Sequence, residues 1–375
     1  MTKDPIMKQK CRPNAWIELN LETLCHNLAA VRSALSASSQ IILVVKANAY
    51  GHGMTVIAAK AFECGVRWFL VATLEEATTL REVVPEANIL LLGAVWAADV
   101  PEISRCRIIP VLVDEAQALE LAGTALQLGM KLACHVKIDT GMGRLGLSWE
   151  DAAARLAVLR ENGGLEIRGL CTHFASAGRA GDAFAAIQEA RFRHVVAECG
   201  KRGLTGLFTH AANSAAFSTR PALDLDGVRL GIVVYGYGGR VGVARVETHP
   251  LLQWKTRVLQ IKQVPAGFPV GYLSTHVTTT PTCLATIDVG YSDGYSRLMS
   301  NKGYVLVGGR RAKVVGRVTM NFTTVDVGPQ GGVSPGDEVV LMGTQNGETL
   351  WADEVARWCQ TIPYEILTNI RNRAL

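Results

Sequence analysis

The chain has 375 residues, of which 49% are hydrophobic and 19% charged, and its formal net charge is +5. This length predicts two domains, and the positive charges are spread along the chain without a basic block, which argues against nucleic-acid binding. The first residues, MTKDPIMKQKCRP, lack the apolar core of a signal peptide, and no run reaches the roughly 20 apolar residues of a membrane span. We therefore expect a soluble cytoplasmic protein.

The cysteines give no sign of cross-linking or metal binding. There are nine of them, far apart in the sequence and without a CxxC pair. An odd number without regular spacing argues against a disulfide framework and against a zinc site. We therefore expect no metal.

Strand-like apolar runs recur through the first part of the chain, after a short candidate strand at 16–20 and a helical pattern at 21–36. They cover residues 41–47, 67–72, 88–93, 108–113, 131–139, 166–174, 206–211 and 227–236. Helix-like segments separate most of them, including Ala152–Glu161 and an amphipathic one at 181–203. Eight such strands predict parallel β/α units, and eight is the number that closes a (β/α)8 TIM barrel. A doubly wound open sheet is the alternative.

The pattern changes after about residue 245. Short β-branched runs between Gly, Pro and Asp turns follow, and only 352–359 is helical in pattern. This predicts a mainly antiparallel β domain. We place the barrel at residues 12–245 and the β domain at 246–375, and the first strand, at 15–20, is able to pack with the C-terminal domain.

One lysine stands out at the end of the first buried strand. The apolar run 41–45 ends on Lys46, followed by a loop of small residues with Tyr50 and two glycines. A lysine at the end of a buried strand costs free energy unless it has a partner or a task. In an apolar pocket it loses its proton readily and can form a Schiff base with an aldehyde cofactor. The alternative is an ordinary surface lysine at a strand end.

Further polar residues follow the later strands. In β/α barrels the active site lies at the carboxyl ends of the strands. Those ends carry Lys137 and Arg144 after the fifth strand, His173 after the sixth, Asn213 and Ser214 after the seventh, and Arg229, Gly231 and Ile232 in the eighth. Each has an ordinary structural explanation, such as a helix cap for Asn213. Their convergence on one rim nevertheless predicts a site.

The last two strands also predict a phosphate site. Phosphate groups in such barrels bind between the loops after the seventh and eighth strands. The Ser214 hydroxyl, backbone N–H groups around Gly231 and a helix N-terminus suit a dianion. A Schiff-base lysine together with a phosphate site indicates pyridoxal phosphate as the cofactor.

These segments resemble the signature motifs of a known family. The chain resembles the alanine racemases, which are barrel-type (fold type III) pyridoxal-phosphate enzymes, over nearly its whole length. VVKANAYGHG is similar to the family's cofactor-lysine signature, and KIDTGMGRLG, THFA, AANSAA, VRLGIVVYG, GYSDGY and GRVTM follow in the expected order. The resemblance implies interconversion of L-alanine and D-alanine by a two-base mechanism, which supplies D-alanine for peptidoglycan.

The resemblance also implies roles for individual residues. Lys46 carries the cofactor and is one catalytic base, and Tyr272 is the other, contributed by the second subunit of a homodimer with shared active sites. The cofactor is held by Lys46, Tyr50, His173, Asn213, Ser214, Arg229, Gly231, Ile232 and Tyr364. The substrate side is formed by Arg144, Met320 and Tyr291. Lys137 matches the lysine that is often carbamylated in this family and that pairs with Arg144.

These residue types suit racemisation. Two bases on opposite faces remove the α-proton from one side and return it on the other. The resemblance places Arg229 at the pyridine nitrogen, and an arginine, which keeps its proton, disfavours protonation of that nitrogen. The ring is then a weaker electron sink, which limits transamination. A carbamate on Lys137 would orient Arg144 through a charge-assisted pair.

Three positions depart from the family pattern. Asn321 stands where an aspartate usually follows the methionine of GRVTM, and Leu273 where glycine usually follows the catalytic tyrosine. After THFA, where an acidic residue is usual, residues 176–178 are Ser, Ala and Gly178, and the next carboxylate is Asp182. A serine or broad-specificity amino-acid racemase therefore stays open, because small pocket differences shift selectivity by only ~1–3 kcal/mol.

Two further alternatives fit less well. Related decarboxylases with the same two-domain plan usually place a carboxylate at the pyridine nitrogen, where this chain has Arg229. Non-catalytic cofactor-binding proteins of the single-barrel type lack the second domain, with its Tyr272 and GYSDGY.

Overall fold

The computed structural model describes residues 15–178, 181–237 and 245–371. The chain divides into two compact units, one of residues 20–251 and one of residues 252–375 together with the first 19 residues. The boundary between the units therefore falls at 251/252 rather than at the predicted 245/246. The predicted outer limits, residues 12 and 375, lie outside the described residues.

The larger unit is a closed barrel of eight parallel strands, which confirms the predicted fold. The first strand, β1 (Ala15–Leu19), belongs to the other unit. The barrel strands are β2 (Gln40–Val44), β3 (Trp68–Val71), β4 (Asn88–Leu91), β5 (Ile108–Leu112), β6 (Leu132–Asp139), β8 (Leu165–Cys171), β9 (Phe208–His210) and β10 (Gly227–Leu230). A short strand, β7 (Leu147–Ser148), pairs with β6. β10 pairs with β2 and closes the barrel, so the open-sheet alternative is wrong.

Helices follow most of the barrel strands. The helices of this unit are α1 (Leu21–Ala34), α3 (Met54–Glu63), α4 (Leu74–Val83), α5 (Val100–Arg105), α6 (Glu115–Gln127), α7 (Ala152–Glu161), α8 (Ala183–Lys201) and α9 (Ser214–Thr219). The short segment α2 (Lys46–Tyr50) is a single left-handed turn. Strands such as β5 are buried along their whole length, because helices cover a barrel that is filled with side chains. No helix of the described residues has the length and apolar composition needed to cross a membrane.

Most barrel strands end slightly earlier than predicted, the first of them at Val44. The largest difference is in the eighth strand, which ends at Leu230 because Val233–Tyr237 turns into a helical segment around Gly236. Gly236 has a φ of 95°, and a Cβ there would lie 2.1 Å from the backbone of His249. A continuous apolar sequence does not reveal such a close approach, since only the folded chain brings His249 to this turn.

The second unit is an antiparallel β domain, as predicted. Its further strands are β11 (Leu252–Val264), β12 (Pro269–Val270), β13 (His276–Val277), β14 (Thr282–Ile287), β15 (Tyr304–Val307), β16 (Arg310–Val314), β17 (Thr323–Gly328), β18 (Glu338–Gln345) and β19 (Glu348–Leu350), followed by α10 (Ala352–Cys359) and α11 (Pro363–Thr368). β11 pairs with β14 and β18, so six strands close on themselves, and β1 pairs antiparallel with β11. The small hairpin of β12 and β13 stands apart from this sheet.

One pair of cysteines is joined. Cys25 on α1 and Cys64, just after α3, form a disulfide between residues 39 positions apart. The sequence argued against a disulfide framework, and this single disulfide was not predicted. The spacing of the cysteines carried no sign of it, because the packing of α1 on α3 brings the two together.

Candidate active site

Lys46 lies two residues after the carboxyl end of β2 and begins a left-handed turn. Ala47, Asn48, Ala49 and Tyr50 have φ angles of 52°, 53°, 53° and 52°. A left-handed conformation costs an L-residue about 1–2 kcal/mol, and runs of it are rare outside glycine. Such strain persists only where surrounding contacts hold it, and it concentrates at functional sites.

Two side chains hold this turn at its ends. The Glu76 carboxylate, at the start of α4, accepts a hydrogen bond from the Ala47 N–H at 2.6 Å. At the other end, Asn48 Oδ1 accepts from the Met54 N–H at 2.8 Å, where α3 begins. The strain is therefore balanced by polar contacts with the two helices that follow β2 and β3.

Tyr50 is packed in place by aromatic rings and by the last barrel strand. Its ring meets that of Tyr235 edge-on at 5.5 Å, and the Tyr235 hydroxyl donates to the carbonyl of Val44 at 2.7 Å. On its other side lies Gly231, where a Cβ would come within 2.8 Å of the Tyr50 ring. The Gly231 N–H in turn lies 3.4 Å from the Ser214 hydroxyl oxygen. Three predicted phosphate-binding residues are thus brought together.

Asn213 is used as a helix cap. Its Oδ1 accepts from the Ala216 N–H at 2.9 Å and so begins α9. This is the ordinary structural explanation considered for the residue. Ile232, beside Gly231, is almost completely buried.

Arg229 is a buried cation whose terminal N–H groups are all used. Its Nη1 donates to the His210 carbonyl at 2.7 Å and to His210 Nδ1 at 3.0 Å. Its Nη2 donates to the carbonyls of Thr172 and Ala211 at 2.7 and 2.8 Å, with His173 Nδ1 farther away at 3.4 Å. No carboxylate is among these partners, and within the described residues the Nε–H has no acceptor. That N–H is the one left for a ligand.

His173 shows how strongly positive the rim is. Burial, together with four cationic side chains, lowers the pKa of His173 to about 3; the four are Arg229, Arg144, Lys137 and Lys46. These residues come from β6, β10, the turn after β2 and the loop after β6, so their charges converge on one place. A neutral imidazole among four cations is the environment of a site for an anionic ligand.

Lys137 and Arg144 differ sharply in exposure. Lys137 is only 2% exposed, its Nζ donates to the Leu145 carbonyl, and burial lowers its pKa. Arg144 is exposed, and no hydrogen bond or ion pair ties it to another described residue. A buried lysine with a lowered pKa is reactive as a free amine, while the exposed guanidinium is available to contact a ligand.

The remaining predicted residues lie in the β unit. Tyr272 is 70% exposed at the tip of the hairpin of β12 and β13. Together with Tyr291 and Met320 it lines a cavity of about 580 Å³. Backbone hydrogen bonds of 3.0 Å join Tyr291 to Thr319 and Ser292 to Met320 in the wall of this cavity. Tyr364 lies on α11, and burial raises its pKa to about 12.

The departures from the family pattern have specific surroundings. Asn321 donates from Nδ2 to the Ser292 hydroxyl at 3.1 Å within the same β unit. Asp182, the first carboxylate after THFA, accepts from the Ser176 hydroxyl and caps α8 through the Ala185 N–H at 2.9 Å. Asp182 is therefore engaged in starting a helix.

Sequence reasoning assigned no role to three residues that shape this site. Glu76 was detectable as the last residue of the pattern Thr-x-x-Glu that starts α4, where a capping box forms. His135 and His210 stand in apolar strands, where a buried histidine must find a partner. Which partner each takes is not readable from sequence.

Comparison with known proteins agrees with this geometry. Residues 19–238 match the family model "Alanine racemase, N-terminal domain" and residues 251–375 match "Alanine racemase, C-terminal domain". A curated alanine racemase from Desulfosudis oleivorans is 41% identical over 96% of this chain and 95% of its own length.

Solved structures are similar as well. The alanine racemase of Clostridium difficile 630 superposes with a TM-score of 0.90 at 30% identity, over 97% of this chain and 95% of its own. The alanine racemase of Bartonella henselae with covalently bound pyridoxal phosphate has a TM-score of 0.85 at 29% identity, over 96% of this chain and 98% of its own. From the match of both family models and of these relatives over nearly the whole chain, the protein is an enzyme, an isomerase, and it belongs to the alanine racemase family.

Proposed function

We propose that this enzyme interconverts L-alanine and D-alanine with pyridoxal phosphate held on Lys46, and so supplies D-alanine for peptidoglycan. One observation carries the cofactor assignment: the Nε–H of buried Arg229 lacks an acceptor among the described residues, on a rim that also carries Lys46 and a phosphate-type pocket. The covalently bound cofactor of the Bartonella henselae relative supports the same choice.

The donor set fits this cofactor. Tyr50, the Ser214 hydroxyl and the Gly231 N–H suit its phosphate, and the Arg229 Nε–H suits its pyridine nitrogen. The absence of a side chain at Gly231 allows the close backbone approach that a phosphate needs. When bound, pyridoxal phosphate draws electron density from the substrate Cα and thereby acidifies the α-proton. Arg229 tunes that effect, because a charged donor disfavours protonation of the ring nitrogen.

Lys46 and Tyr272 are proposed as the two bases that exchange the α-proton on opposite faces. Tyr272 would be contributed by the second subunit of a homodimer. Support comes from the surface that carries it: Tyr272, Leu273, Met320 and Phe322 are large, exposed and line one cavity. Contiguous exposed apolar surface of this kind is typical of protein interfaces. Arg144 would hold the substrate carboxylate, with Tyr291 and Met320 on the substrate side.

A carbamate on Lys137 is part of the same proposal. The buried amine, with its lowered pKa, is neutral more often than a surface lysine and so is able to add carbon dioxide. The product is an anion beside the exposed Arg144, which it would orient. Labelling with 13C-bicarbonate should give a carbamate signal in the carbon NMR spectrum that is absent from Lys137→Arg. The same spectrum for both proteins would refute it.

A panel of L-amino acids with chiral analysis of the products tests the function. We expect L-alanine to be racemised fastest, by a protein that absorbs in the visible range and in which borohydride fixes the cofactor to Lys46. Leu273 and Asn321 near Tyr272 favour a second candidate, a serine or broad-specificity racemase, and faster turnover of L-serine would select it. Wild-type activity in Lys46→Ala would overturn the whole assignment.

A further inference from the structure

Two buried histidines extend inward from Arg229 through the barrel. His210 Nδ1 lies 3.0 Å from Arg229 Nη1, and His210 Nε2 lies 2.9 Å from His135 Nδ1. Both imidazoles are inaccessible to solvent. The three side chains, from β10, β9 and β6, form one continuous line of hydrogen bonds.

The donors and acceptors along this line fix both tautomers. A guanidinium only donates, so His210 Nδ1 must be the acceptor. A neutral imidazole carries one proton, which therefore sits on His210 Nε2 and is donated to His135 Nδ1. Because His135 Nδ1 is then an acceptor, the single proton of the neutral His135 ring sits on its Nε2. Burial lowers the pKa of His135 to about 4 and that of His210 well below its usual value, so both rings are neutral.

The line ends without a partner. His135 Nε2 is buried and has no hydrogen-bond partner among the described residues. The ring lies beside Trp68 and Phe208, which stack on each other at 4.6 Å, and each of their centroids is 5.9 Å from that of His135. An unpaired buried N–H is unfavourable, so an apolar side chain would suit this place better for stability alone. The reason for a histidine at position 135 must then be the hydrogen bond that its Nδ1 accepts from His210 Nε2.

The neighbouring strand makes room for this ring. Gly169 on β8 is the direct strand partner of His135, and a Cβ there would lie 2.7 Å from His135 Cε1 and 2.8 Å from Nδ1. A side chain at Gly169 would therefore clash with the imidazole at the very atoms next to its acceptor nitrogen. The backbone of β8 thus limits where His135 Nδ1 can lie.

We propose that His135 is a positioning residue that holds His210 in the Nε2–H tautomer and thereby keeps Nδ1 as an acceptor for Arg229. Without it, the His210 Nε2–H has no acceptor, and the other tautomer would turn an N–H toward the guanidinium. Arg229 would lose one of the four acceptors that fix its plane. The effect on the cofactor rests on the proposed role of Arg229 at the cofactor ring. The assignment of the His210 tautomer does not depend on that role.

The tautomers are measurable without reference to activity. Nitrogen-15 NMR of the holoenzyme with labelled histidine distinguishes Nδ1–H from Nε2–H through long-range couplings to the ring protons. We expect both His135 and His210 as neutral Nε2–H forms at neutral pH. A protonated Nδ1 on His210 would overturn the proposal whatever the enzyme's substrate or cofactor.

Two substitutions separate positioning from packing. His135→Asn keeps an acceptor near the place of Nδ1, whereas His135→Leu removes it at similar size. For His135→Leu we expect mixed His210 tautomers, a cofactor dissociation constant raised about tenfold and a shifted cofactor absorption band, with His135→Asn close to wild type. Trp68→Leu, which loosens the packing of the same ring, should lower thermal stability and leave tautomer and band unchanged.

The outcomes are distinguishable. Equal behaviour of His135→Leu and His135→Asn, or a tautomer in His135→Leu identical to that of wild type, would overturn the positioning role. A wild-type protein that shows the expected tautomers but binds no pyridoxal phosphate would instead overturn the proposed function.

Discussion

Glu76 Oε1 accepts a hydrogen bond from the backbone N–H of Ala47 at 2.6 Å, one residue after the lysine at the centre of the site. The other carboxylate oxygen accepts from the N–H groups of Ala72 and Thr73 at 2.9 and 3.3 Å. A single side chain therefore ties the start of α4 to the first residue of the left-handed turn. This contact links a helix cap to the orientation of Lys46.

Replacing Glu76 by Gln should damage both stability and cofactor retention. An amide has only one acceptor atom, so its NH2 group would face at least one of these backbone N–H donors. These N–H groups are exposed or only partly buried, so the cost should stay below the about 1–3 kcal/mol of an unsatisfied buried donor. We expect a lower midpoint in urea unfolding and a faster loss of cofactor on dialysis. Glu75→Gln, on the exposed neighbour, is the control and should match wild type in both measurements.

Replacing Leu273 by Gly should stabilise the hairpin that carries Tyr272. Leu273 is 81% exposed and has a φ of 61°, a conformation that costs a non-glycine residue about 1–2 kcal/mol. Part of that gain is offset by the greater freedom of glycine in the unfolded chain. We expect a net gain of up to about 1 kcal/mol in the free energy of unfolding. Leu298→Gly, at an exposed leucine without positive φ, should lose stability, and a loss in both variants would contradict the strain argument.

Stability should fall as the pH drops below 6.5, partly because of His52. The ring is buried, with Nδ1 at 2.9 and 3.0 Å from the carbonyl oxygens of Ala49 and Tyr50. Burial lowers the pKa of His52 from 6.5 to about 4. Between these values the unfolded chain binds a proton that the folded chain does not, so stability is complete above pH 6.5 and decreases toward pH 4.

The size of this effect follows from linkage. One such histidine contributes about 1.4 kcal/mol per pH unit to the slope of unfolding free energy against pH. His52→Asn should be less stable at pH 7 and show a slope reduced by that amount between pH 6 and 5. The exposed His26→Asn should leave the slope unchanged. An unaltered slope in His52→Asn would mean that His52 titrates normally in the folded protein.

Activity should require two subunits. Lys46→Ala and Tyr272→Phe are each expected to be inactive, because each lacks one of the proposed bases. If the bases come from different chains, a mixed dimer has one site with both wild-type residues and one with neither. Mixing the two proteins under conditions of subunit exchange should therefore restore part of the activity. No recovery, despite exchange demonstrated by mass spectrometry, would place both bases in one chain.

The two bases should be separable by isotope exchange. In the proposed mechanism, Lys46 takes the α-proton of D-alanine and Tyr272 that of L-alanine. Racemisation must fall equally in both directions in Tyr272→Phe, because the equilibrium constant is fixed. In heavy water this variant should still exchange the α-hydrogen of D-alanine slowly and hardly that of L-alanine, as followed by proton NMR. Equal exchange of both enantiomers would show that one base, or water, serves both faces.

The sequence by itself determined the barrel and the β domain. Eight apolar runs alternating with helical segments predict a closed parallel barrel, because the period of apolar residues is a local property that each segment carries alone. The placement of Lys46, His173 and Arg229 at one rim followed from the same reasoning, since parallel strands end on the same side. The family motifs added Tyr272, which no periodicity would have singled out.

Only the tertiary structure decided how the rim is held. Four consecutive left-handed residues after Lys46 contradict their own preferences, and they form because hydrogen bonds tie the turn to other elements: Glu76 accepts from the Ala47 N–H, and Asn48 accepts from the Met54 N–H. Likewise, the line from Arg229 through His210 to His135 joins three strands and spans 94 positions in the sequence. A buried polar group takes whichever partner the packed strands bring within 3 Å, and that choice depends on the whole barrel rather than on neighbours in the chain.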